Sequence, residues 1–436
     1  MKPKATAPSP KAVVMNMFYT GLGIARSLGE QGVSVIGLTA KRGVYGNFTR
    51  YAKVLSAPDS RNEPEALAAF LVKLGRGLDT PAVIFPTRDD DLVFLDRFRS
   101  DLAPYFRMVV PEHGALTACL NKWSTFLAAR EAGVAAPKSW LIEGAEDLKR
   151  FAAEIVYPCV LKPLAAHHWR KGANWELVGA RKAIGITSAQ ELAAEYATIA
   201  RADKRALIQE MVPGGDDCLL IVACYLDQRS RWTGAFNTRK VLQIPEGFGT
   251  GCIVKSAAGP TLFDTTRRLL EGMRYSGIAE VEYKWDSAAD EYKLIEVNPR
   301  PWDQHRLGNA AGVDLMYMAY CDHAGRSIPE PAKTIPEYKW IAEDTFITAA
   351  IRSLRGGASK AGTLFRLARG KRIYAIWSAR DPLPAVVYWV TFIPALIDAG
   401  TRALWFALKN KVSGDGNLQK GELVYETHVE KPESLR

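Results

Sequence analysis

The sequence predicts an α/β domain followed by an α+β domain and a helical C-terminal extension, and three observations predict it. An apolar run, a helically spaced segment and a second apolar run open the chain, as a β-α-β unit does. Short Val-, Ile- and Leu-rich strands separated by polar turns then recur as far as about Arg326, several close enough in sequence to pair as antiparallel neighbours. Beyond Pro336 the pattern becomes helical and basic. At 436 residues, 48% of them hydrophobic, the chain exceeds what one core usually organises.

At the start of the chain, residues 1–11 (MKPKATAPSPK) are basic and proline-rich and are expected to be a disordered lead; the apolar run after them is too short for a signal-peptide core. Residues 12–118 are expected to form a small Rossmann-like doubly wound domain, with strands at AVVMNM, VSVIGL, AVIFP and MVVP. Gly21 and Gly23 supply only GxG, and no acid closes the second strand. A tight strand-to-helix turn is therefore favoured over a dinucleotide site, and a nicotinamide oxidoreductase is disfavoured. Residues 119–330 carry the α+β pattern, 331–411 the basic and apolar extension, and 412–436 a polar tail.

Composition narrows the function classes. The formal charge is +10, and residues 339–411 hold twelve Lys or Arg against four Asp or Glu, so the imbalance lies mostly in the extension. Nucleic acid is disfavoured as a partner because no module motif accompanies the charge. The six cysteines form no CxxC pair, which speaks against a zinc site or disulfide framework and for a reducing cytoplasmic setting.

The chemistry-bearing residues lie in the second domain. In KLIEVNPRPW, Glu296, Asn298 and Arg300 alternate with Ile295 and Val297, so on a strand they share one face. Glu282, in GIAEVEYKW, precedes Glu296 by fourteen residues across the polar DSAADE, a candidate hairpin turn that would bring both carboxylates to one site. Two carboxylates and an amide oxygen suit a hard divalent cation, although an exposed hairpin face explains the spacing equally well. Lys162 ends the apolar run YPCVLKP, where an ammonium is costly unless it meets an anion or snorkels to solvent. HHWRKGANWELVG and Lys182 beyond it read either as a phosphate-covering flap or as a solvated loop. ALIQEMVPGGDD offers a strand end and a glycine turn able to meet a purine edge, a pattern that is common on its own. PTRDDD, Pro86 to Asp91, sits where open α/β sheets bind ligands, and a capped helix start accounts for it as well.

Taken in this order along the chain, over about residues 12–325, these stretches resemble the ATP-grasp superfamily, with EVNPR the most specific. The resemblance implies a pre-ATP-grasp domain followed by a two-subdomain ATP-grasp fold that holds ATP with magnesium (Mg2+), manganese (Mn2+) being an alternative. It implies that Lys122 and Lys162 are the paired phosphate and adenine lysines and that Lys182 is the flap lysine. Glu210, Met211 and Val212 would be the adenine hinge and Asp217 the ribose acid. Glu282, Glu296 and Asn298 would be the metal ligands, with Arg300 on the transferred phosphate. NPRPW together with FNTRKVLQIPEGFGTG is similar to the carboxylate-amine ligase-like branch associated with polysaccharide biosynthesis. There Arg239 and Lys240 are expected on a loop facing the γ-phosphate or the acceptor, or as two cations on a hairpin. The activity implied is ATP-dependent joining of a small-molecule carboxylate to an amine through an acyl phosphate. A non-catalytic ATP-binding, membrane-associated module is the alternative.

Such chemistry needs no nucleophilic serine or cysteine. His167, His168 and His305 are read as polar surface or flap residues, and Trp302 as packing beside the site. In the extension, PLPAVVYWVTFIPALI (Pro382 to Ile397) carries no charge, and Asp398 and Arg402 interrupt the apolar pattern beyond it. Peripheral contact with an anionic inner membrane face is therefore favoured over a helix pair packed on the enzyme and over a span.

Overall fold

The computed structural model describes residues 9–169, 173–179, 181–244, 250–259, 261–355 and 358–392. Most of the expected lead, part of the expected flap, residues 245–249 and everything from 393 onward, including the polar tail, lie outside the described residues.

Strands β1 (Ala12–Met15), β2 (Val35–Thr39), β3 (Ala52–Ser56), β4 (Ala82–Phe85) and β5 (Phe106–Met108) form a parallel sheet in the order β3-β2-β1-β4-β5. Helices cover both faces, so β1, β2 and β4 are wholly buried and read as continuous apolar runs. The strand order reverses at β1, and the crevice beyond the carboxyl ends of β1 and β4 is where such sheets accept ligands. Gly21 and Gly23 fall inside the helix Tyr19–Glu30. A Cβ at Gly21 would lie 1.8 Å from the Asn16 carbonyl oxygen, and one at Gly23 2.5 Å from His305 Nε2. The two glycines allow close packing within the helix rather than forming the turn itself.

The next four strands, β6 (Ser139–Ile142), β7 (Cys159–Pro163), β8 (Ile184–Ile186) and β9 (Ala206–Glu210), make an antiparallel sheet in the order β6-β9-β7-β8. A seven-stranded sheet completes the fold: β10 (Leu219–Leu226), β11 (Trp232–Ile244), β12 (Thr250–Ala257), β13 (Gly277–Asp286), β14 (Glu291–Asn298), β15 (Lys339–Ile341) and β16 (Arg372–Tyr374), ordered β14-β13-β10-β11-β12-β15-β16. The hairpin expected between the two glutamates is present, with Glu282 opposite Glu296 and Glu280 opposite Asn298.

The extension departs from its helical expectation in two places. Besides helices Glu343–Arg355 and Ala358–Leu367 it supplies β15 and β16, which continue the large sheet at its edge. Three-residue strands are too short to show an alternating pattern in sequence. After β16 the chain returns to the first domain, where Asp381 accepts from Arg26 Nε at 2.9 Å, Thr49 Oγ1 at 2.7 Å and the Arg50 amide at 3.0 Å. Tyr388 packs edge-on against Tyr45, and one hydrophobic core runs through Val14, Leu22, Tyr45, Phe236, Trp302, Trp340 and Tyr388. The first domain, the large sheet and the extension therefore share a core.

Candidate active site

A cavity of about 970 Å³ lies where the first domain, the four-stranded sheet and the seven-stranded sheet meet. The first domain contributes Thr20, Arg61 and Thr87 to Asp90, placed by the crevice at β1 and β4. From the four-stranded sheet come Lys162 on β7 and Gln209 and Glu210 on β9; from the large sheet come Lys240, Glu280, Glu282, Lys284, Glu296 and Asn298. Alternation explains the last set: Glu280, Glu282 and Lys284 project from one face of β13, and their opposite numbers on β14 project the same way.

Acids and cations interlock across this face. Lys122, at the first helical position after the Asn121 cap, donates to Glu296. Burial alone would raise the Glu296 pKa; the Lys122 ammonium more than offsets it and holds the carboxyl down at about 2. Lys240 Nζ contacts both oxygens of Glu282 at 3.0 and 3.2 Å. Burial disfavours its charge, yet Glu282 and Glu280 keep its pKa above the usual lysine value. Glu280 is pushed up to about 8 by burial and by the Glu282 charge, and it accepts from Asn298 Nδ2 at 3.2 Å. Arg300, just past the end of β14, donates to Asp89 Oδ1 at 2.6 Å and thereby ties the large sheet to the first domain.

Lys162 donates to Gln209 Oε1 at 2.7 Å, and burial followed by repulsion from Lys122 lowers its pKa to about 8. A buried amine this depressed gains most from an anion. Lys182, Met211, Val212 and Asp217 also line the cavity. Glu210, at the end of β9, accepts on its carboxylate from the Lys138 amide at 3.1 Å and from Lys293 Nζ at 3.5 Å. The indole nitrogens of Trp169, Trp175 and Trp302 are buried on the lining residues and have no hydrogen-bond partner within the described protein.

Of the thirteen site residues expected from sequence, twelve line this cavity and Arg239 does not. Of the two readings of Arg239 and Lys240, the loop is corrected and the hairpin is found: both lie within β11, which pairs antiparallel with β12, and neighbours on a strand face opposite ways. Arg239 donates instead to the Tyr292 hydroxyl at 3.1 Å and the Asp217 carbonyl at 3.4 Å. His305 is likewise no surface residue. It is buried against Gly23 with its ring nitrogen 3.2 Å from the Thr20 carbonyl oxygen, and burial lowers its pKa to about 3. His168 pairs with Asp203 at 3.0 Å. PTRDDD forms the capped helix start, with Asp91 a buried acceptor for the Thr87 and Arg88 amides, each at 3.0 Å, and Asp89 and Asp90 line the cavity. Sequence reasoning misses Gln209, Glu280 and Asp303. Glu280 is legible, being two residues from Glu282 on the same strand face; Gln209 and Asp303 carry no spacing signal.

Among the described residues no three His, Cys, Asp or Glu side chains gather as a ready-made metal cluster. The donor set of Glu282, Glu296 and Asn298 is nonetheless all oxygen, and its two carboxylates are each met by an ammonium group, so positive charge is what this face calls for. That chemistry fits a hard divalent ion completed by water and phosphate oxygens.

No family model matches the chain. It is 22% identical over 214 residues to the D-aspartate ligase of Enterococcus faecium (strain Aus0004), covering 47% of this chain and 50% of that protein. It is 25% identical over 177 residues to the vancomycin/teicoplanin A-type resistance protein VanA of Enterococcus faecium, covering 38% and 48%. The chain thus spans about half the length of the curated relatives it matches. Among solved structures, the ADP complex of N5-carboxyaminoimidazole ribonucleotide synthetase superposes with a TM-score of 0.60 at 15% identity, over 81% of this chain and 87% of that one. Three sheets arranged in this order around one polar cleft, together with that superposition, give the chain the fold of the ATP-grasp superfamily.

Proposed function

We propose that this protein is an ATP-dependent ligase that joins a small-molecule carboxylate to an amine. The single observation that carries the reading is the convergence of four cations, Lys122, Lys162, Lys240 and Arg300, with Glu282 and Glu296 on one cleft between two sheets. A triphosphate with its metal needs both signs of charge in one place. The ligase relatives and the nucleotide-bound structural neighbour support the same assignment.

In this reading ATP lies between β7 and β9 on one side and the large sheet on the other. The main chain of Glu210 to Val212 meets the adenine edge and Asp217 the ribose, as the cavity lining permits. Lys162 and Lys122 neutralise phosphate oxygens, and Lys182 adds charge from the segment after the flap. Glu282, Glu296 and Asn298 would hold magnesium or manganese, which when bound supplies Lewis-acid neutralisation of the phosphates. Lys122 and Lys240 then exchange their carboxylate partners for phosphate, so the resting ion pairs keep the cleft ordered before substrate enters. The substrate carboxylate attacks the γ-phosphorus, ADP departs, and an acyl phosphate forms with Arg300 placed to bear its charge. The amine attacks the acyl carbon, phosphate leaves, and the proton lost from nitrogen passes to water or phosphate. The chain orients and neutralises and forms no covalent bond to substrate. Thr20, Arg88 and Asp303, on the side of the first domain, are placed to meet the acceptor.

A cell-surface polysaccharide setting, with cytoplasmic catalysis, is the finer reading and has the NPRPW resemblance behind it. The test of the activity is phosphate release with hydroxamate formation when ATP, magnesium, hydroxylamine and panels of carboxylates are supplied. ADP binding without carboxylate-stimulated phosphate release under any panel would instead favour a nucleotide-binding module.

A further inference from the structure

Exposed apolar surface is concentrated in one stretch of the chain. Among the described residues eight large hydrophobic side chains are exposed, and five of them, Phe365, Trp377, Leu383, Val386 and Val390, fall between 365 and 390. Leu383, Val386 and Val390 recur three and four residues apart in the helix spanning 383–392 and so form one stripe, with exposures of 50%, 51% and 68%. Ala385 and Tyr388 on the other side of the helix are buried, with Tyr388 against Tyr45 and Phe392 stacked on Tyr388. The helix is therefore fixed to the body of the protein with its bare apolar side outward. No described helix is long and apolar enough to cross a membrane.

Charge identifies what covers it. Arg366, Arg369, Lys371, Arg372 and Arg380 are all exposed. The only acid between 365 and 392 is Asp381, which is buried and spent on Arg26. An exposed apolar stripe in a segment whose exposed charges are all cationic complements a sheet of anionic headgroups over an apolar interior. Two copies meeting through this same face would bring like charges together.

We propose that the exposed stripe of helix 383–392, acting with Trp377 and the exposed cations of 366–380, docks the protein onto an anionic lipid bilayer. The apolar stripe enters the headgroup boundary and the cations meet the phosphates. The inference does not rest on the ligase reading, and its failure would leave that reading intact.

The test is co-sedimentation of the full chain with phosphatidylcholine vesicles, with and without phosphatidylglycerol. Binding is expected only with the anionic lipid and should weaken as salt rises. Arg369→Gln/Lys371→Gln should reduce the partition coefficient by about thirtyfold, since each cation near such a surface is worth about fivefold. Val386→Glu/Val390→Glu should abolish binding while leaving the melting temperature within a few degrees, because both side chains already face water. Absence of binding to either vesicle, or binding that neither double variant changes, would overturn the proposal. So would a vesicle-free dimer that the valine variants dissolve, which would assign the face to a second copy of the chain.

Discussion

Arg300 and Asp89, 211 residues apart, meet at 2.6 Å across the boundary between the large sheet and the first domain. Asp89 keeps the guanidinium charged against its burial and fixes its direction into the cleft. If Arg300 bears the charge of the transferred phosphoryl group, Arg300→Ala should cut kcat/KM by about 10²- to 10³-fold, the usual effect of losing one preorganised donor. Asp89→Asn should lower kcat less and leave ATP affinity within a few-fold. Steady-state phosphate release together with nucleotide binding separates the two.

Lys162 predicts a pH dependence. Its amine loses its proton near pH 8 in the free protein, so ATP affinity should fall as pH rises through that value, and Lys162→Met should flatten the profile. Because the folded pKa lies below the unfolded one, the unfolded chain binds more protons between about 8 and 10.5. Stability contributed by this group therefore rises with pH across that window. The Met variant should melt higher than the parent at pH 7, with the gap closing toward pH 10. Calorimetric binding and thermal melts over pH check both signs.

The paired carboxylates predict a metal phenotype. If Glu282 and Glu296 hold the metal, Glu282→Gln and Glu296→Gln should each lower carboxylate-stimulated phosphate release by at least about 10²-fold and raise the magnesium concentration needed for half-maximal rate, since the divalent ion would lose a charged oxygen ligand. Metal-free ADP binding should be retained or strengthened, because Lys122 or Lys240 is released toward the phosphates. Equal losses of metal-free and metal-dependent binding would show the pairs to be architectural.

Arg26 is fully buried, with Asp381 as its counter-ion. Removing one partner of such a pair leaves an uncompensated charge, so Asp381→Ala should cost about 3–5 kcal/mol in chemical denaturation, while Arg26→Met/Asp381→Leu should recover much of it. Deleting the chain beyond Pro336 would strip the same partner, so membrane contact is better tested by surface substitutions than by truncation.

Sequence spacing reveals the glutamate hairpin because period-two alternation is a local property, and Glu282 opposite Glu296 comes from a polar turn between two apolar runs. Lys162 is legible because an ammonium in a buried strand demands an anion. Arg239 is misplaced from sequence because it sits within a 13-residue strand whose polar stretch reads as a loop, and adjacency to Lys240 then conceals opposite facing. Asp89 opposite Arg300 and Asp381 on Arg26 are beyond reach, since a contact between residues hundreds of positions apart leaves no trace in local pattern.

The ion pair of Arg26 also sets a timetable for synthesis. Its aspartate emerges 355 residues later, which at a ribosomal rate of about 5–20 residues per second is a wait on the order of tens of seconds. Throughout that interval the nascent first domain carries a guanidinium socket with nothing to fill it, so its final closure is deferred until the seven-stranded sheet has already been made.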